Sequence, residues 1–197
     1  MSEKDAPISK ENRMVAHHAA AAFGGEARVD EYINHSDTLA IGILYCRDRP
    51  TEGVTSYSTI KLSDYPFGRE LAAPCESAAA YFASVLASAA FTILQGDDEF
   101  GRGSVLLNLV RQHDPASNLP HLYLAAPSLW AQAPSLLDCG TKQVGWLLAV
   151  PISESEHAYL QAHDAQALDH LFEAKQIEFS DMARAPAIER ADVGNVP

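Results

Sequence analysis

Four strand-like runs follow one another between Ala27 and Cys75 with no helical period between them, and this succession constrains the fold more than any other feature. Strands that succeed each other directly return by hairpins, so they build an antiparallel or mixed sheet rather than an alternating α/β one. In "ARVDEYI", Val29, Glu31 and Ile33 alternate against Asp30 and Tyr32. "TLAIGILYC" is apolar on both faces, the mark of an interior strand. "GVTSYSTIKL" follows a turn containing Pro50, and the short run "RELAAPC" closes the group at Pro74.

Helices flank these strands in the sequence. "SKENRMVAHHAAAAFGG" is built of helix formers and stops at Gly24-Gly25. "ESAAAYFASVLASAAFTILQGDD" sets Ala78, Phe82, Val85, Leu86, Ala89 and Ile93 on one face at 3.6-residue spacing, which predicts a helix from about Glu76 to Gly96. Its other face is small (Ser77, Ser84, Ser88, Thr92), so a close neighbour is expected there. Three more strands are read in "GSVLLNLV", "LPHLYLAAP" and "KQVGWLLAVPI". In the last, Val144, Trp146, Leu148 and Val150 face one way, and Leu147 and Ala149 the other. Ser153-Glu154-Ser155-Glu156 then forms a capping box, with a helix break at His163-Asp164 and a second segment capped by Asp164 through Lys175. The order is that of a single α+β domain: a central antiparallel or mixed β-sheet flanked by helices. Residues 1–10 are expected to be flexible, 11–182 to form the domain, and 183–197 a partly disordered tail.

Charge and cysteine usage bound the function. With 14 Lys+Arg against 26 Asp+Glu the net charge is −12, which leaves no footprint for phosphate backbones, so no nucleic-acid partner is expected. The same charge suits a basic partner by electrostatic steering. There is no run of eighteen apolar residues for a membrane span, and the start "MSEKDAPISKENR" has no apolar signal core. Three widely spaced cysteines (Cys46, Cys75, Cys139) form neither a disulfide framework nor a zinc cluster, and they fit a cytoplasmic location.

Candidate chemistry thins out on inspection. Thr55-Ser56-Tyr57-Ser58-Thr59 is five hydroxyls in a row, but strand alternation divides them between two faces, and the G-x-S-x-G elbow is absent. His157, His163 and His170 are six and seven residues apart; a seven-residue helical step rises roughly 10 Å, too far for one ion, so no metal is expected. Asp97-Asp98-Glu99 reads as a solvated loop without a calcium pattern, and "GRG" is no phosphate loop. Cys75, ahead of a helix, reads as a buried small residue. No catalytic residue and no cofactor is assigned.

"GVTSYSTIKLSDYP", "FASVLASAAFTI", "LPHLYLAAPSLW" and "WLLAVPISESEHAYLQAHDAQALDHLFEAKQI", colinear from roughly Val15 to Asp181, together resemble the bacterial branch of the suppressor of fused domain family. The strings Tyr57–Asp64 and Val150–Glu156 carry most of the resemblance. Lys61 departs from it, standing where the family pattern has a glycine. The resemblance implies a non-enzymatic α+β protein-binding domain. Animal members bind a short peptide as an added strand, and bacterial members are associated with toxin–immunity loci. It therefore implies a protein or peptide partner, such as a basic toxin that this chain neutralises by direct binding. Tyr57 matches the tyrosine of the family string and is the expected partner-contact residue; Asp64 lies in the same string, where Leu-Ser-Asp before Tyr-Pro also reads as turn chemistry. Two other classes stay open: a small hydrolase or transferase assembled from distant Ser, His and Asp residues, and a small-ligand-binding module. An enzyme predicts a hydroxyl or thiol within reach of His17, His113 or His121 and a carboxylate. A binding module predicts an accessible strand edge near Tyr57.

Overall fold

The computed structural model describes residues 8–96, 100–130 and 136–189. Eight strands form one sheet in the order β1-β2-β3-β4-β8-β6-β5, with β7 attached to β8. They are β1 (Ala27–Ile33), β2 (Ala40–Arg47), β3 (Val54–Ile60), β4 (Arg69–Glu76), β5 (Val105–Leu106), β6 (His121–Ala125), β7 (Leu137–Asp138) and β8 (Gln143–Ile152). The first four are consecutive antiparallel hairpins, as their succession in the sequence requires. A single parallel contact, β4 on β8, makes the sheet mixed. The domain is thus α+β, with helices α1 (Lys10–Phe23), α2 (Phe82–Gln95), α3 (Glu154–Ala162) and α4 (Ala165–Ala174).

Alternation sorts the sheet into two faces. Ile41, Ile43, Tyr57, Leu71, Ala73, Leu147 and Ala149 share one core with α2. Leu44, Cys46, Ala72, Trp146, Leu148 and Val150 share the other with α1 and α4. The hydroxyl run divides accordingly. Ser56 and Ser58 accept hydrogen bonds from the indoles of Trp130 and Trp146 (2.9 and 3.1 Å), while Thr59 donates to buried Glu70.

Three local expectations are corrected. The helix read from Glu76 begins only at Phe82, because the Glu76 and Ser77 amides are taken by the carbonyls of Ser180 and Gly53, and β4 continues through Glu76. Pro74 is tolerated inside β4 because β8 pairs only with Arg69–Ala72. Glu76 points its N–H away from β3, so by alternation the bare nitrogen of Pro74 faces the side β8 has left. "GSVLLNLV" yields only the two-residue β5. Asn108 turns left-handed (φ 56°) and gives its N–H to His121 Nδ1 instead of a ladder. The capping box at Ser153–Glu156 and the Asp164 cap form as their residues dictate.

Past α4 the chain folds back. Arg184 is buried and makes a bidentate pair with fully buried Glu156 (2.6 and 3.0 Å), donates to the Pro151 carbonyl, and lies over the Phe172 ring. Glu156 also accepts from the amides of Ser153 and Ala187, so both charges are fully satisfied. Residues 183–189 are therefore tied to the α3 N-terminus; 1–7 and 190–197 lie outside the described residues, as does Asp97-Asp98-Glu99.

Candidate partner-binding surface

Among the described residues β1 is the long unpaired edge of the sheet. Six of its seven residues are exposed, including Val29 at 50% and Ile33 at 41%. The Asn34 N–H reaches the Leu39 carbonyl of the facing strand (3.0 Å). The uninterrupted β1–β2 register then points the amides of Tyr32, Asp30 and Arg28 at β2. Ala27, Val29, Glu31 and Ile33 consequently turn their N–H and C=O groups outward, an open template for one more strand.

Beside this edge runs a groove of about 530 Å³ between the end of β1 and α2. The small face of α2 (Ser84, Ser88, Thr92) lines it with Tyr32, Phe91 and Gln112, and no Asp, Glu, Lys or Arg contributes to its wall. The expectation that something packs closely against this helix face is met in part: His113 reaches Ser88 Oγ (3.0 Å), while Ser84, Ser88 and Thr92 also border the groove.

Tyr57 does not lie at that edge. β3 is paired on both sides, and the Tyr57 ring is 7% exposed, between Tyr45 and Phe82 at centroid distances of 6.4 and 5.8 Å. Burial pushes its phenol up from the ordinary value. The accessible strand edge is two places away because pairing order, which local pattern does not encode, puts β1 outermost.

Asp64 ends a single 3₁₀ turn, Leu62–Asp64, and accepts from Asn12 Nδ2 of α1 (2.8 Å) and from Lys142 Nζ of the β7–β8 hairpin. Lys142 also reaches Ser63 Oγ (3.0 Å). Below them Glu70, fully buried, accepts from Thr59 Oγ1 (2.6 Å) and the Ser63 amide (3.0 Å). Burial with no cation in contact raises its carboxyl to about 7. The turn begins at Lys61 with φ 84°, a left-handed conformation that glycine takes freely, which gives a physical reason for the glycine that the resemblance leads one to expect here. The string Tyr57–Asp64 is thus a brace between β3, β4, α1 and the β7–β8 hairpin.

The enzyme expectation finds one partial match. Ser88 Oγ lies 3.0 Å from His113 Nε2, and burial lowers the His113 pKa from the ordinary imidazole value. The adjacent carboxylate, Asp114, accepts instead from the Tyr81 hydroxyl (3.2 Å), so it does not complete a triad. His121 has both nitrogens engaged: Nδ1 accepts from the Asn108 amide, which puts the proton on Nε2, donated to Glu154 (3.1 Å). His17 is exposed on α1. No group of three or more His, Cys, Asp or Glu side chains able to hold a metal occurs among the described residues, and no helix among them is long and apolar enough to cross a membrane. A second hollow of about 460 Å³ lies beside α4, walled by Ala125, Asp169, His170, Phe172, Glu173 and Ile177.

Against known proteins, residues 37–185 match the family described as Suppressor of fused protein (SUFU). The chain is 34% identical over 190 residues to immunity protein YqcF of Bacillus subtilis strain 168, covering 92% of this chain and 99% of that protein. A suppressor of fused homologue from Neisseria gonorrhoeae superposes with a TM-score of 0.74 at 17% identity, over 91% of this chain and 97% of the other. The structure of a Sufu–Fu complex superposes with a TM-score of 0.63 at 12% identity, over 90% and 92% of the two chains.

Proposed function

Since the chain belongs to the suppressor of fused family, we propose that it is an immunity-type protein that binds a cognate toxin and neutralises it by direct, non-catalytic contact. The observation that carries this reading is the 34% identity to immunity protein YqcF over nearly the whole of both chains. The geometry supports a binding role: among the described residues β1 is a free ladder edge beside an uncharged groove, and Ser88–His113 has no carboxylate partner. The toxin segment pairs with β1 as an added strand and sets alternate side chains over the groove. Of the two residues in the family string, Asp64 is accessible and touches the partner's flank, whereas buried Tyr57 supports β2 from behind. The net charge of −12 favours a basic toxin. The protein acts in the cytoplasm, where its three free thiols stay reduced.

Pull-down from the native host identifies the bound chain, and co-expression with it tests this directly. Restored growth, and a complex recovered by pull-down, is the expected result; failure to rescue removes the immunity role. His113→Ala, outside the groove wall, should rescue as well as the native chain. Loss of rescue in this variant, with the fold intact, would favour a catalytic protein instead.

A further inference from the structure

The charges along β1 are arranged so that the strand is complementary to itself. Arg28 and Asp30 are exposed, lie on the same face, and have no ion-pair partner among the described residues; Val29 between them is half-exposed and apolar. We propose that two copies of this chain pair through β1, antiparallel about a two-fold axis at Val29, and so continue the sheet across the dimer.

The register follows from three conditions. A two-fold axis perpendicular to a continuous sheet keeps the same face upward in both copies, so directly opposed residues must be of like parity. With the axis at Val29, Val29 faces Val29, Arg28 faces Asp30 of the other copy, and Ala27 faces Glu31. The residues with outward-facing amides, Ala27, Val29 and Glu31, then fall at the hydrogen-bonded pairs. Arg28 and Asp30 fall at the non-hydrogen-bonded pairs, where side chains come closer. Moving the axis to Arg28, Asp30 or Glu31 opposes two like charges, which disfavours pairing. An axis at Tyr32 makes no charge pair. An axis at Ala27 would set Arg28 against Glu26, which lies outside the strand, and would pair almost none of β1; Val29 is the one centre that sets opposite charges face to face twice within the strand.

The paired ribbon runs only from Ala27 to Glu31 in each copy, a small interface below the about 1,200 Å² typical of stable complexes, so the dimer is weak and exchanges rapidly. Its contacts use the same outward amides that the proposed toxin segment would use, so self-pairing and partner binding exclude each other. The dimer needs no toxin to be tested; its failure would leave the immunity reading untouched, and failed rescue would leave the dimer untouched.

Disulfide trapping in the full chain reads the register. With the half-exposed Cys139 replaced by serine, Val29→Cys should form a covalent dimer under mild oxidation at least tenfold faster than a control cysteine at exposed Leu107, in about 0.15 M salt where long-range repulsion is screened. Arg28→Cys and Asp30→Cys should cross-link to each other when mixed, and each only slowly alone. Adding Arg28→Asp to Val29→Cys should slow trapping about tenfold, and the further change Asp30→Arg should restore it. Equal rates at Val29 and Leu107, or no response to the charge exchange with unchanged melting temperatures, would overturn the proposal.

Discussion

β1 and β3 are both seven residues long and lie two places apart in one sheet, yet their polar side chains have opposite fates. On β3, Ser56, Ser58 and Thr59 are buried and consumed by Trp130, Trp146 and Glu70. On β1, Arg28 and Asp30 reach solvent and the outer amides are unpaired. β3 has the conspicuous sequence and a structural job; β1 has an ordinary sequence and the free surface. A polar group on an interior strand must be satisfied internally, whereas one on an edge stays available to a partner.

The sharpest way to break this contrast is at Tyr57. Tyr57→Ala should destabilise the fold by about 3–5 kcal/mol in denaturant titrations, as other aromatic-to-alanine changes in cores do. A loss under about 1 kcal/mol would return Tyr57 to the surface. Glu70 comes next. Its carboxyl titrates at about 7 when folded, against an ordinary 4.5 when unfolded, so between these values the folded chain holds a proton that the unfolded chain has lost. Its contribution is therefore fully present below pH 4.5 and lost as pH rises to 7, about 3 kcal/mol in all. Glu70→Gln should remove that slope and melt above the native protein at pH 8; an unchanged slope would assign the pH dependence to other groups.

On β1 the expected effect moves from stability to binding. Val29→Asp should shift stability by no more than about 0.5 kcal/mol, as exposed substitutions do, while weakening toxin capture about tenfold. Undiminished capture, measured by calorimetry, would exonerate the edge. The smallest effect belongs to Lys61. Lys61→Gly relieves a left-handed φ of 84° at the cost of an exposed 3.5 Å pair with Glu31, so a gain of about 0.5–1 kcal/mol is expected in thermal melts. A loss would mean that the ion pair outweighs the strain.

Much of this fold is legible locally. The two-sided burial of β8 can be read from Val144–Val150, the helix start from Ser153 and Glu156, and the division of the hydroxyl run from alternation alone. What stays hidden depends on partners distant in sequence. The late start of α2 is set by Ser180 and Gly53, which capture the amides of Glu76 and Ser77. Arg184 looks like one charge in an aperiodic tail until Glu156, 28 residues earlier, turns out to face it. The same limit applies to the site. Alternation cannot say which strand is outermost, so the edge was legible as a need near Tyr57 but not as β1. Lys61 is the instructive middle case: the missing glycine marks the turn, and only the backbone angle explains the mark.

The single parallel contact, β4 on β8, has a consequence for synthesis. The first four strands need only neighbours already made, and they can zip as hairpins while the chain is still emerging. β4 must then wait for Gly145–Leu148, more than seventy residues later, with its second side bare. At about 5–20 residues per second that is several seconds of nascent life with a sticky ribbon on view. Pro74, which puts no N–H on that side, shortens what a stray strand can grip, so this half-made sheet has its own guard against premature company.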